Sequence, residues 1–478
     1  MTFQKDVSSR SGFYRKVFLL VLPMIVQETL TNAASLLDNI MTGRLGTVSM
    51  TGIAIASQLL LVFQLSVWGS ISGAGVYGAQ FCGQRNMEGL RSTFRYKVIL
   101  VAVISAVTFL IFRIFGRIIA GSFISEQTLC ENRTAILDCA MTYINIMMVG
   151  FIPFCLTQCF AGTMRETGET VLPMKASLAA ILTNVFVNSL LIFGWLGFPR
   201  LGVRGAAIAS VISRYVELAV ILIGIAGHME QYPFFGRAYA DARIPRGLAW
   251  NIFVKSFPLL LNEVLWSISL AALLQCYSVR GIHVVAAMTI CGTVSQIFNQ
   301  FFFSLGDATA IVVGQELGAN QMQNVRDTAR RMLVLSLMSA VVMGILLSLG
   351  APFIPRMYET EDNVRKLASE FLYVAALCMP LYAMANWAYS VIRAGGRTIT
   401  TFLFDSGFSW AVIIPAAFMI TRYTKFYEAL VYLLVSSLIL VKAACGVILI
   451  RSGGWVKNIV ADEQGSRHAC PKEELDYA

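Results

Sequence analysis

Residues 17–41 read VFLLVLPMIVQETLTNAASLLDNIM, an apolar run that carries two acids, Glu28 and Asp38. A helix needs about 20 such residues to cross the hydrocarbon core of a bilayer. Similar runs recur near residues 51–80, 96–120, 134–160, 171–195, 203–228, 249–276, 284–313, 331–351, 367–392, 398–420 and 427–451. We therefore predict an all-α integral membrane protein with twelve transmembrane helices.

The composition favours lipid as the surrounding solvent. Of the 478 residues, 57% are hydrophobic and 13% are charged, and the mean hydropathy is +0.68. Soluble domains carry about 25% charged residues. The runs are too long, and too poor in two-residue alternation, for a membrane β-barrel. The net charge of +10 does not indicate nucleic-acid binding, because the basic residues are scattered through short connectors.

The distribution of basic residues predicts the orientation in the cell membrane. Most of the 37 Lys and Arg, such as Arg85 and Arg330, fall in alternate connectors. Connectors rich in Lys and Arg stay on the cytoplasmic side. We therefore expect both termini and the connector around Gly236 to be cytoplasmic, with Glu126 and Glu361 outside.

The two halves of the chain repeat each other. A shift of 235 positions places Pro23 on Pro258 and Glu28 on Glu263. The same shift aligns Gly46 with Gly281, Gln80 with Gln315, Gly83 with Gly318 and Arg91 with Arg326, and a shift of 228 aligns Arg165 with Arg393. Six helices per unit make parallel repeats. We predict an N-terminal lobe at 1–232, a cytoplasmic linker at 233–248 and a C-terminal lobe at 249–478, around a central cleft.

Three segments resemble the MATE family, for multidrug and toxic compound extrusion. Residues 38–46, DNIMTGRLG, are similar to the family's D-x-x-M-x-G-x-x-G. Residues 162–168, GTMRETG, and 392–398, IRAGGRT, resemble its arginine-and-glycine turn. Asn184 and Asn188 match polar positions that line the N-terminal lobe in this family. The resemblance covers nearly the whole chain.

This resemblance implies a V-shaped exporter of amphipathic, often cationic compounds. Export would be driven by H+ or Na+ entering, without a cofactor, and we expect small-molecule substrates, a lipid bilayer and a monomer. Some family members carry an acid on helix 10, where this chain has Tyr382, and one on helix 7, where it has Trp266. Its own helix-7 acid, Glu263, comes earlier. We therefore expect the cation site in the N-terminal lobe.

Helix 1 has a polar face. At about 100° per residue, one arc of about 140° holds Gln27, Glu28, Thr31, Asn32, Ser35, Asp38 and Asn39. A carboxylate buried without a partner takes up a proton, and exchange of that proton or of Na+ is what coupling requires. We predict a cation-coupling site at Asp38 with Glu28, Asn184 and Asn188, and no other metal site.

The remaining polar and aromatic positions predict a substrate cleft. Its candidate residues are Glu263, Trp266, Gln296, Asn299, Tyr382, Asn386 and Asp405. Glu28 and Glu263 either pair across the lobes or contact a cation. Asp405 either meets an organic cation beside Trp410 or is a paired structural acid. Arg214 and Glu217, three residues apart on one helix, predict an ion pair.

Two other classes of function compete with an ion-coupled exporter. A flippase for lipid-linked or bulky amphiphiles would need a more cationic cleft than Arg214 and Lys442 provide. An intramembrane enzyme would need a motif such as HExxH, GxSG or DDxxD, and none is present, nor is a P-loop. The ten cysteines lack CxxC spacing and predict buried apolar residues rather than a zinc site.

Overall fold

The computed structural model describes residues 10–43, 45–124, 130–236, 244–358 and 360–461. These ranges are almost entirely helical and contain no strand. The helices are α1 Arg10–Gly43, α2 Thr47–Gly83, α3 Met87–Ser122, α4 Cys130–Met147, α5 Phe151–Glu166, α6 Val171–Phe193, α7 Val203–Gly227, α8 Pro233–Gly236, α9 Arg246–Ser278, α10 Ile282–Gly318, α11 Met322–Gly350, α12 Asp362–Ala394, α13 Thr398–Phe402, α14 Ile414–Tyr423, α15 Glu428–Ser437 and α16 Ile439–Arg451.

Twelve helical segments in these ranges are long and apolar enough to cross a membrane. Three of them are composite: α4 continues into α5 through the 3-10 turn Met148–Gly150, α13 continues into α14, and α15 into α16. A helix pairs its backbone N–H and C=O groups within itself, which is necessary because hydrocarbon offers them no hydrogen-bond partners. The predicted all-α membrane fold and its number of spanning helices are confirmed.

The segment between α13 and α14 departs from a regular α-helix. Leu403–Gly407 and Ser409–Ile413 are π-helical. A π-turn accommodates an extra residue and is frequent at functional sites. Here it turns both Asp405 and Ser406 towards Asn262 of α9. Hydrophobic periodicity does not predict this local register change.

The first helix of each lobe begins in the other lobe. Phe13 and Leu20, in the first half of α1, belong to an apolar cluster with α10, α11 and α12 of the C-terminal lobe. Leu248 and Ile252, in the first half of α9, belong to the large apolar cluster of the N-terminal lobe. Each helix then continues along its own lobe. This exchange joins the lobes at one end, and the cleft between their other ends stays a prediction.

Two glutamines exchange hydrogen bonds where the lobes meet. Gln80 Nε2 of α2 donates to the carbonyl oxygen of Ala394 at 3.0 Å, and Gln315 Nε2 of α10 donates to that of Glu166 at 2.6 Å. The donors are related by the 235-residue shift, and the acceptors, which end α12 and α5, by the 228-residue shift. We call this contact, between the C-terminal ends of α2 and α10, the closed end.

Two glycines allow the backbones to approach at the closed end. A side chain at Gly83 would collide with the backbone carbonyl of Gln315, and one at Gly318 with that of Gln80. The absence of a Cβ is what lets two helices pack this closely. The repeat therefore extends from sequence to the contact between the lobes.

The predicted orientation stays a prediction. Residues 1–9, 237–243 and 462–478, and Glu126 with them, lie outside the described residues. Gly236 ends α8, and Glu361 immediately precedes α12, both on exposed surface. The lobe bounds 1–232, 233–248 and 249–478 also remain predictions.

Candidate functional site

Asp38 lies near the C-terminal end of α1 and is bonded to α6. Its Oδ1 accepts a hydrogen bond from Asn188 Nδ2 at 2.6 Å. The same Nδ2 lies 2.9 Å from Asn184 Oδ1, one turn earlier on α6. Asn184 Nδ2 in turn donates to Ser210 Oγ of α7 at 3.4 Å. The structure thus brings Asp38, Asn184 and Asn188 together in one polar chamber, which we call the Asp38 chamber.

The Asp38 chamber holds a negative charge without a fixed counter-charge. Asp38 forms no salt bridge within the described residues. Asn188 Oδ1 is buried and has no hydrogen-bond partner among the residues that the structure describes. No group of three or more His, Cys, Asp or Glu in the described ranges could hold a metal ion. One carboxylate beside a lone amide oxygen suits a proton or a monovalent cation such as Na+ rather than a multivalent metal.

A second polar network surrounds Glu28, closer to the closed end. Arg165 Nη2 donates to Gln27 Oε1 at 2.9 Å, and Gln27 Nε2 donates to Ser177 Oγ at 2.8 Å. Ser177 Oγ donates to Glu217 at 2.6 Å. Glu28 itself is half-buried and forms no hydrogen bond within the described residues. Its carboxylate is therefore available to a ligand, and it is separated from Asp38 by almost three helical turns.

The predicted ion pair between Arg214 and Glu217 is wrong. No salt bridge joins them within the described residues; Arg214 instead lies over the ring of Phe154, 4.9 Å from its centroid. Its Nη1 donates to the carbonyl oxygen of Gly150 at 3.4 Å. The long side chain reaches towards α4 and α5, whereas Ser177 of α6 supplies the hydrogen bond to Glu217.

Asp405 is a paired acid inside the C-terminal lobe. Lys442 Nζ of α16 lies 2.5 Å from its Oδ1, and Asn262 Nδ2 of α9 donates to its Oδ2 at 3.0 Å. Asn262 Oδ1 accepts from the backbone N and the hydroxyl of Ser406, at 3.2 and 2.7 Å. The charge of Asp405 is therefore compensated, which favours the structural of the two interpretations.

Glu263 lies near the salt bridge between Arg393 and Asp307, and Arg393 also contacts the other lobe. Tyr389 Oη donates to its Oε1 at 3.5 Å, and Glu263 has no salt bridge within the described residues. Arg393 Nη2 lies 2.8 Å from Asp307 Oδ1, while its Nη1 donates to Ser72 Oγ of the N-terminal lobe at 2.9 Å. Arg393 thus links the two lobes next to the cleft.

Glu28 and Glu263 are not bonded to each other. Within the described residues neither carboxylate donates to or accepts from the other, so the predicted pair across the lobes is wrong. Both instead have Asp307 as a charged neighbour, with Arg393 bound to it. Two unshielded carboxylates would repel each other, which is a physical reason for their separation. Cation contact in the cleft remains the prediction for both.

The other predicted cleft residues divide into two sets. Trp266 and Asn299 are half-buried and Gln296 is exposed, so all three are accessible at the surface, and their place in the cleft stays a prediction. Asn386 Nδ2 donates to the carbonyl oxygen of Phe302 at 3.1 Å, which ties α12 to α10.

Tyr382 combines both properties. It is 38% exposed, and its hydroxyl is hydrogen-bonded to Ser436 of α15. Its ring is therefore accessible, and its place in the cleft stays a prediction. A helical wheel could not show the contact of Asn386 with α10.

Sequence reasoning missed a buried ion pair near the closed end. Lys97 Nζ of α3 lies 2.6 Å from both carboxylate oxygens of Glu166 and 3.1 Å from Thr163 Oγ1. The side chains of Lys97 and Glu166 are 0% and 8% exposed. The two residues are far apart in sequence and lie near the ends of different helices, where charges are normally solvated. No spacing could have revealed the pair.

Comparison with known proteins agrees with the repeat and the fold. A sequence model of the MatE family matches residues 23–190 and again 258–419. The probable multidrug resistance protein NorM of Thermotoga maritima is 21% identical over 453 residues, 93% of this chain and 94% of that protein. A protein of the same name from Bacillus cereus is 26% identical over 425 residues, 88% of this chain and 91% of its own length.

Solved structures share the whole architecture. A mutant form of the Vibrio cholerae MATE transporter VcmN superposes with a TM-score of 0.83 at 14% identity, covering 93% of this chain and 97% of that one. The outward-facing conformation of a multidrug resistance MATE family transporter gives a TM-score of 0.83 at 16% identity, covering 92% and 95%. Two matches of one family model, over most of the chain, decide the assignment: this multi-pass membrane protein belongs to the MatE family and is a transporter, not an enzyme.

Proposed function

We propose that this protein is a secondary multidrug efflux antiporter in the cell membrane. It exports amphipathic, often cationic small molecules in exchange for H+ or Na+ by alternating access. The names of its relatives support multidrug efflux. The observation that carries ion coupling is the Asp38 chamber, where the carboxylate accepts a hydrogen bond from Asn188 and forms no salt bridge within the described residues.

Asp38 would couple the ion to the conformational change. Binding of H+ or Na+ neutralises its charge and changes how α1 is held against α6. An ion can shift the balance between two conformations only by the difference in its affinity for them. Because Asp38 is on the helix that crosses from one lobe to the other, a change in its contacts acts on the contact between the lobes.

Acids in the cleft would select cationic substrates. Glu28 and Glu263 carry no salt bridge within the described residues, whereas the nearby cation Arg393 is already bound to Asp307. Trp266 adds an aromatic surface on the same helix as Glu263, and aromatic faces attract organic cations. Small molecules with a cationic head and an apolar body fit this combination.

The closed end would be cytoplasmic and the cleft would open outwards. Arg85 and Asn86 follow the last turn of α2 at the closed end, and Arg326 and Arg330 lie just after the end of α10. Basic residues concentrate on the cytoplasmic side. The closed end would therefore separate the cleft from the cytoplasm in this conformation, and one monomer contains the complete pathway.

A flippase for lipid-linked or bulky amphiphiles is less well supported. Such a protein needs free cations to hold a phosphate. In this chain Lys442 is bonded to Asp405, Arg393 to Asp307, and Arg214 lies over Phe154.

The test is dye efflux from vesicles under separately imposed H+ and Na+ gradients. Only one gradient should drive concentrative export by the wild type, which identifies the ion. Asp38→Asn keeps the size of the side chain and removes its charge, so we expect binding of dye to remain and gradient-driven export to fall by at least tenfold. Asp138→Asn, which changes an acid that is 63% exposed in a surface ion pair, is the matched control.

The outcome decides between two candidate sites. Near wild-type export by Asp38→Asn would refute its coupling role and transfer it to Glu28 or Glu263. Export by the wild type with neither gradient would refute antiport altogether.

A further inference from the structure

The chain continues beyond α16 as a short segment that crosses to the other lobe. Residues 452–461, which we call the strap, leave α16 through Gly453, whose φ of 70° a side chain would strain. Trp455 is 2% exposed, and its Nε1 donates to the carbonyl oxygen of Ile450 at 2.9 Å. A side chain at Gly395 would collide with the backbone of Trp455. The strap is thus fixed to the C-terminal lobe at its start.

Gln80 of the N-terminal lobe holds the far part of the strap. Its Oε1 accepts from the backbone N of Ile459 at 3.0 Å, and its Nε2 lies 3.4 Å from the carbonyl oxygen of Lys457. The same Nε2 donates to Ala394 at the closed end. Asn458 Nδ2 lies 3.4 Å from the carbonyl oxygen of Gly318. One buried amide therefore binds the strap and the end of α12 together.

The strap also inserts apolar side chains into the N-terminal lobe. Ile459 and Val460 are 7% and 0% exposed and belong to the large apolar cluster of that lobe. The equivalent segment after α7 behaves differently, because its Tyr232 and Phe234 join the cluster of their own lobe. The repeat is therefore broken here: within the described residues, the segment after the last helix of the C-terminal lobe enters the other lobe, whereas the segment after α7 stays in its own.

We infer that the strap is a latch that keeps the closed end shut. Separation of the lobes there must break the bonds of Gln80 to Ile459 and Ala394 and withdraw Ile459 and Val460 from their apolar site. The strap therefore stabilises the conformation in which the lobes are joined at the closed end. When that end opens, the strap dissociates from Gln80 and from the apolar cluster of the N-terminal lobe. This inference rests on the alternating access proposed above.

The test measures the distance across the closed end in the full chain. Non-canonical residues carrying spin labels at Glu230 and Gln323, both exposed, avoid the ten native cysteines. Gln80→Ala removes the side chain that is hydrogen-bonded to the strap. The ratio of molecules with the lobes separated at the closed end to molecules with the lobes joined there should rise about tenfold. Gln27→Ala is the control, because Gln27 is equally buried but bonds only within the N-terminal lobe.

Ile459→Ala and hydrogen exchange give independent evidence. Ile459→Ala keeps the backbone bonds and should shift the distances in the same direction by less. In the wild type, amide exchange of residues 459–461 should accelerate under the ion conditions that increase the separated population.

The outcomes separate this inference from the proposed function. A wild-type population that responds to ions but is unchanged in Gln80→Ala and Ile459→Ala would overturn the latch and leave antiport intact. Equal exchange of residues 459–461 in both populations would also overturn it. A single distance in every variant and condition would overturn alternating access along with the latch.

Discussion

Replacing Lys97 by Met should destabilise the protein far more than the loss of a surface charge. Its ammonium lies 2.6 Å from both oxygens of Glu166 and is 0% exposed. Without it, the Glu166 carboxylate remains buried with no salt-bridge partner among the described residues. Breaking a buried pair by removing one partner costs about 3–5 kcal/mol of unfolding free energy.

The double variant Lys97→Met/Glu166→Gln distinguishes the cost of leaving one buried charge unpaired from the net contribution of the ion pair to stability. It leaves no buried charge, so its unfolding free energy should lie within about 1–2 kcal/mol of wild type, the range of one imperfectly bonded polar group. Arg117→Met is the surface control, since Arg117 and Asp138 are both more than 60% exposed, and we expect a change below about 1 kcal/mol. Unfolding by denaturant in mixed micelles measures all four proteins.

Acid pH supplies a further check on the charge of Glu166. A proton taken up by Glu166 neutralises the buried carboxylate, so the deficit of Lys97→Met relative to the double variant should shrink as the pH falls, because the other titrating groups are common to both proteins. A double variant less stable than Lys97→Met, or a deficit independent of pH, would refute a charge effect and indicate lost packing instead.

Lys442→Met should likewise destabilise the C-terminal lobe by several kcal/mol. Adding Asp405→Asn to Lys442→Met should recover most of the lost stability. Equal thermal stability of the single and the double variant would contradict a compensated Asp405. Gly83→Ala should force α2 and α10 apart and enlarge the separated population in distance measurements, whereas an unchanged distribution would mean that the backbones adjust. Introduced cysteines should be labelled from outside at Glu361 and only after permeabilisation at Gly236; the reverse pattern would invert the proposed orientation.

The fold was predictable because its signals are long and repeated. Twelve apolar runs of spanning length require helices, and a shift of 235 positions, which changes to 228 in the later helices, relates the halves. Gln80 and Gln315 are aligned by the sequence repeat, and in the structure they donate equivalent hydrogen bonds at the closed end. Local departures, such as the π-helical stretch at Leu403–Ile413, depend on side-chain packing and leave no periodic signal.

The candidate site was predictable only where one helix face carries it. The polar arc of α1 singled out Asp38, and the resemblance to the MATE family supplied Asn184 and Asn188, which meet it in the structure. Pairs such as Lys97 with Glu166 come from different helices, and their meeting is decided by tertiary packing. Lys97 lies at the very start of the predicted run 96–120, where a charge can reach solvent, yet its side chain is fully buried.

The Asp38 chamber has no counterpart in the C-terminal lobe. Under the two repeat shifts, Asp38 corresponds to Leu273, Asn184 to Val412 and Asn188 to Ala416. Residues 411–418, AVIIPAAF, are all apolar, so the register change of the π-helical segments does not alter this comparison.

The C-terminal lobe places its carboxylate elsewhere. Asp405 is neutralised by the ammonium of Lys442, whereas Asp38 forms no salt bridge within the described residues. An acid that already holds a fixed counter-charge gains little from an external ion, because that ion would have to displace the ammonium or share the carboxylate with it. Under the proposed mechanism, only the N-terminal lobe would therefore respond to an ion through Asp38, because the equivalent positions of the C-terminal lobe are apolar.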